Sequence, residues 1–73
     1  MNNFGENLKL ARKEKGLSCE RLAVSANRKF GTTITKSTIF RWEKGETQPR
    51  ASNLVAITKI LDVSIDELYR HEF

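Results

Sequence analysis

An all-α fold of five short helices is predicted for this chain by three observations. Apolar residues recur at intervals of three and four along most of its length, the repeat of one helix face rather than of a strand. Most of these segments open on a residue able to cap a helix or close on a glycine able to end one. The β-branched run Thr32-Thr33-Ile34 disfavours helix and reads as an extended link.

The first helix carries Phe4, Leu8 and Ala11 at helical spacing, with Leu17 after a break and Lys9, Lys13 and Glu14 on the wet side. Asn2 or Asn3 can cap it and Gly16 stops it. Arg12 falls beside the apolar stripe rather than opposite it, which is unusual for a solvated charge. Ser18 caps the second helix, with Glu20 in its first turn. Leu22, Ala23, Ala26 and Phe30 follow at core spacing, from about Cys19 to Lys29, and Gly31 ends the run. Thr35 caps the third helix and Gly45 closes it. At about 100° per residue, Ile39, Trp42 and Glu43 share one side, Ser37, Arg41 and Lys44 the other, with Phe40 at the edge and Lys36 in the first turn.

Pro49 holds the following segment, Glu46 to Arg50, as a loop. Leu54, Ile57 and Leu61 then mark a fourth helix from about Ala51 to Leu61, with Val55 and Ile60 broadening its stripe. Ser64-Ile65-Asp66-Glu67 is a capping box that opens a short fifth helix, with Ile65, Leu68 and Tyr69 inward. No repeat, linker or low-complexity segment interrupts the 73 residues, so the whole chain, 1–73, reads as one domain.

A domain of this size needs nearly every periodic apolar residue in its core, leaving few to line a substrate cavity. The single cysteine, Cys19, rules out an internal disulfide, and no cluster of Cys and His is spaced to hold a metal. His71 sits near one end of the sequence and Cys19 near the other, no motif pairs a nucleophile with a base, and no glycine-rich loop precedes a helix. No enzyme and no cofactor are expected. Cys19, at a helix N-terminus, is either a redox-sensing thiol or an inert small side chain. The first residues lack a basic region followed by an apolar run, and no segment approaches the ~20 apolar residues of a membrane span, so a cytoplasmic setting is expected.

The net charge is +4, and its distribution is uneven: eleven of the thirteen Lys and Arg residues lie within the first fifty positions. One face made for a polyanion fits this asymmetry, and so does a basic solvated surface. The third helix favours the first. Anchored by two apolar residues and preceded by another helix, it can present a polar, cationic edge to the DNA major groove, whereas A-form RNA has too narrow a groove to admit it.

These residues resemble the Cro/lambda-repressor type of helix-turn-helix domain over nearly the entire chain. The likeness rests on an ordered set: Phe4 to Arg12, Gly16-Leu17-Ser18, Leu22-Ala23, Ser37-Thr38-Ile39, Arg41 to Gly45, Pro49, and Leu61 to Leu68. The resemblance implies a helix-turn-helix over about 18–45, a third helix that enters the major groove, and an ion pair between Arg12 and Glu43. Two departures stand out. The segment from Ala26 to Ile34 exceeds the usual turn of 3 to 4 residues, as in some members from phages of Gram-positive bacteria, which leaves the angle between the two helices open. Cys19 stands where many members carry a glutamine that bonds a phosphate, so that contact falls to Ser18 or a backbone N–H.

Lys36, Ser37, Phe40 and Arg41 are the candidate base contacts. Arg41 offers a planar fork that matches O6 and N7 of guanine, or else a phosphate contact or a surface ion pair. Lys36 can reach a guanine or a phosphate, and Ser37 can bond to any base. Phe40 either touches a thymine methyl or packs against the long turn near Phe30 or Ile34. Trp42 belongs to the core. Ser18, Thr35, Thr38, Lys44, Thr47, Gln48 and Arg50 are candidate sugar-phosphate contacts, with Arg28 and Lys29 as additions from the long turn. One such helix reads too few base pairs to select a genomic site, so a homodimer on a pseudo-palindromic operator is expected, paired either through Tyr69, Phe73 and the outer side of the last helices or through a separate dimerising domain of a longer repressor of which these residues are the DNA-binding portion. The overall reading is a sequence-specific transcriptional regulator, most simply a repressor. The alternative is an antitoxin-like or coactivator-like module on the same fold, whose partner is a protein.

Overall fold

Local chemistry at the helix ends divides the chain into five helices in the computed structural model, which describes residues 3–70. They are α1 (Phe4–Glu14), α2 (Cys19–Phe30), α3 (Lys36–Glu43), α4 (Ala51–Leu61) and α5 (Ile65–Leu68), and no strand forms among the described residues. The Ser18 hydroxyl accepts the Arg21 N–H at 3.1 Å, and the Thr35 hydroxyl accepts the Thr38 N–H at 3.1 Å. Ser64 and Glu67 complete the expected capping box, each accepting the other's backbone N–H. At α1 Asn3 occupies the cap position without a side-chain capping bond, and Asn2, the other candidate, lies outside the described residues. Gly16 and Gly45 take φ of 71° and 79°, and the N–H groups behind them, of Leu17 and Glu46, reach back to the carbonyls of Arg12 and Arg41 at 3.1 and 2.9 Å. That closure satisfies carbonyls that a helix end leaves open, so α1 and α3 both stop sharply.

One core takes a stripe from every helix: Phe4 and Leu8, Leu22, Ala23 and Ala26, Ile39 and Trp42, Ala56, Ile57 and Leu61, and Leu68. α3 lies against α1 and α2, α4 packs on α2, and α5 returns to α1. That return is pinned by the Asn7 amide, which donates to the carbonyls of Leu68 and Arg70 at 3.0 and 2.9 Å, and by the Tyr69 ring, stacked on Phe4 with centroids 4.7 Å apart.

Three expected core positions are exposed instead. Phe30 is the last residue of α2 and points outward, and Ile34, from the extended link, is buried. Val55 lies on the outer side of α4, whose buried stripe runs through Ala56, Ile57 and Leu61. Ile65 is exposed because α5 is a single turn held to α1 on the side of Leu68 and Tyr69.

Candidate nucleic-acid interface

Ile39 and Trp42, 0% and 2% exposed, fix which side of α3 faces out. Lys36, Ser37, Phe40, Arg41 and Lys44 are all exposed on that outer side. Phe40 is 55% exposed. Lys36, Ser37, Phe40 and Arg41 line one shallow concavity together with Cys19 at the start of α2. Thr38 and Arg50 line a second concavity, with the extended link and the first turn of α4. Ser18, Thr35, Lys44, Thr47 and Gln48 are exposed but enter neither, and Arg28 and Lys29 are exposed at the end of α2.

The charge on α3 is sorted by Arg12. The Arg12 guanidinium grips Glu43 with two hydrogen bonds, Nε to Oε2 at 2.7 Å and Nη2 to Oε1 at 3.0 Å, and its remaining arm donates to the Leu17 carbonyl at 2.8 Å. The two side chains are only 11% and 5% exposed. The hydrogen bond to Glu43 raises the pKa of Arg12 against the opposing effect of burial, so the guanidinium stays charged. Glu43 is the one carboxylate within α3, and this grip turns it inward. Lys36 and Arg41 are left without an ion pair among the described residues, whereas Lys44 has an exposed one with Glu46 at 3.4 Å. The exposed side of α3 is therefore cationic.

The angle between α2 and α3, open at the level of sequence, is set by Asn27. Its carboxamide oxygen accepts the Thr32 hydroxyl at 2.7 Å and the Ile34 N–H at 2.8 Å, and its amide donates to the Ile34 carbonyl at 2.8 Å. The link after Gly31 is thereby folded back so that Ile34 enters the core and Thr35 starts α3. Gly5 is a second residue that periodicity does not single out. A Cβ there would meet the Glu43 carbonyl, with the Trp42 oxygen at 3.0 Å, so the start of α1 lies directly on the end of α3. The only sequence signal at Gly5 is a glycine inside a helical run, where it weakens the helix unless packing calls for it.

Cys19 is half-buried beside this ensemble. Burial pushes its thiol pKa up, with a further push from the Glu43 carboxylate and a smaller counter-effect from Arg12 and Lys9. The thiol is neutral, the opposite of what a reactive cysteine needs. Tyr69 is half-buried on Phe4 within its own chain, and Phe73 and His71 lie outside the described residues. Among the described residues no group of three or more His, Cys, Asp or Glu side chains could hold a metal ion. No helix among them is long and apolar enough to cross a membrane.

Two adjoining helices joined by a turn, with the second exposing a cationic side, define the helix-turn-helix class. The family model described as helix-turn-helix matches residues 8–68, and the chain belongs to that family, in line with its resemblance to the Cro/lambda-repressor type. An uncharacterized HTH-type transcriptional regulator of Bacillus subtilis, YqaE, is 39% identical over 69 residues, which is 94% of this chain and 54% of the relative. One of Haemophilus influenzae is 54% identical over 37 residues, 51% of this chain and 16% of the relative. The chain thus spans about half, or less, of the relatives it matches. No solved structure gives a significant match.

Proposed function

We propose that this chain binds double-stranded DNA sequence-specifically, as the DNA-binding part of a transcriptional regulator, with α3 in the major groove. The observation that carries the reading is the exposed row Lys36, Ser37, Phe40 and Arg41 on a helix held by Ile39 and Trp42, its one carboxylate withdrawn onto Arg12. Arg41 donates two bonds to a guanine, Lys36 and Ser37 reach base edges from the N-terminal end of α3, and Phe40 supplies an apolar contact. Ser18, Thr35, Thr38, Lys44, Thr47, Gln48 and Arg50 hold phosphates and sugars on either side, setting register. Residues 1–73 form the binding domain, with the helix-turn-helix at about 18–45. Two copies on half-sites about 34 Å apart, or a multiple of that, provide the selectivity that one helix lacks. Occupying a promoter suffices to block polymerase, so repression is the simplest outcome, and the setting is the cytoplasm.

Selection from random duplexes tests this reading. A preferred sequence with two related half-sites, bound with an affinity that falls steeply with added salt, is the expected result. Binding that prefers no duplex at moderate ionic strength refutes it.

A further inference from the structure

Phe40 is a large ring left 55% exposed on the outer side of α3. It stands one turn after Lys36 and one turn before Lys44, whose ammonium lies 5.3 Å from the ring centroid. Cys19 lines the same concavity, and its neutral thiol behaves as a small apolar group. The remaining lining residues are Lys36, Ser37 and Arg41, so the rim is cationic and contains no carboxylate. An occupant of this concavity has to be apolar where it enters and polyanionic around the entry.

On the major-groove edge of duplex DNA, one unmodified base meets both conditions. Thymine projects its C5-methyl group into the groove, and none of the other three bases carries an apolar group of that size there. From these observations we propose that Phe40 and Cys19 form a slot for the 5-methyl group of a thymine, next to a guanine taken by the fork of Arg41. This inference rests on the DNA-reading function above and adds a specificity element to it. Phe40 is the specificity-determining residue and Cys19 is the wall that narrows the slot.

The experiment uses the duplex obtained by selection and replaces its thymines one at a time by deoxyuridine, which removes the methyl group and leaves every hydrogen-bonding group in place. The wild-type chain is expected to bind about fourfold more weakly when one particular thymine of either half-site is replaced, the equivalent of about 0.8 kcal/mol for one buried methyl. Phe40→Ala is expected to erase that penalty, and Cys19→Ser to reduce it. The deoxyuridine series alters only the DNA, so its wild-type arm is decisive whether or not a variant folds. If no thymine shows a penalty, or Phe40→Ala retains it in full, the slot does not exist, although the preferred duplex still stands for DNA reading. A penalty unchanged in Cys19→Ser removes the thiol from the slot. Failure to select any preferred duplex overturns the slot and the DNA-reading function together.

Discussion

Replacing Gly5 by alanine puts helix propensity and packing in direct opposition. In an open helix the change gains about 1 kcal/mol, because alanine loses less backbone freedom on folding. Here the added carbon would lie 2.8 Å from the Glu43 carbonyl carbon and 3.0 Å from the Trp42 oxygen, well inside the ~3.5 Å of an ordinary contact. Overpacking costs about 1–3 kcal/mol. The obstacles are peptide groups of α3, which cannot rotate away as a side chain would, so the upper end of that range applies and the net loss is about 2 kcal/mol. A 73-residue domain holds about 4–11 kcal/mol in total, so the loss is a large fraction of it. Urea titration followed by the fluorescence of buried Trp42 should show a lower midpoint at unchanged slope, and the melting temperature should fall by roughly 8–16 °C. A Gly5→Ala chain as stable as the parent, or more so, would refute the close seating of α1 on the end of α3.

Arg12→Met strands the Glu43 carboxylate in a site where its side chain is 5% exposed, and should cost about 3–5 kcal/mol in the same titration. The double variant Arg12→Met/Glu43→Leu should recover a large part, and additive losses would mean that the pair is not coupled. Asn27→Ala removes three hydrogen bonds from the link and should cost about 2 kcal/mol, with faster hydrogen exchange at the Ile34 amide. Lys44→Ala and Arg50→Ala should each weaken DNA binding alike for all sequences and lower the salt slope by about one, and a sequence-selective effect would count against a phosphate role. Bonds from the Ser64 backbone and hydroxyl hold the Glu67 carboxyl below its ordinary pKa. With the folded value depressed, its contribution to stability is present above the unfolded value and is lost as pH falls through the folded one. Acid titration of Glu67→Gln, read by circular dichroism, should therefore show a shallower acid limb than the parent.

What could be read from the sequence was local. Helix starts at Ser18, Thr35 and Ser64 and stops at Gly16 and Gly45 depend on groups a few residues apart, and the structure has them where capping chemistry puts them. The side of α3 that faces inward follows from Ile39 and Trp42 alone. Arg12 drew notice as a charge beside an apolar stripe, but its partner, 31 residues away, came from family likeness. The exchange of Phe30 for Ile34 in the core could not be read, because it depends on how far the chain turns back after Gly31. Asn27 controls that turn, and an asparagine near a helix end has no local pattern that names residues 32 and 34 as its partners.

This division between local and distant has a consequence for recognition. Periodicity determines which side chains α3 exposes, but not the tilt at which it presents them. Tilt is a matter of where the two ends are fastened. The N-terminal end is tied to α2 through the Asn27 bonds to the link that precedes Thr35, and the C-terminal end is tied to α1 by Arg12–Glu43 and the close seating at Gly5. Both fastenings join residues that lie far apart on the chain or across an irregular link, and none of these residues is a candidate base contact. A longer turn than is usual in the family is therefore compatible with a well-aimed helix, provided something replaces the short turn as a constraint. Asn27 does so with three bonds between 2.7 and 2.8 Å, at a point where a flexible link would otherwise let α3 swing about its C-terminal attachment.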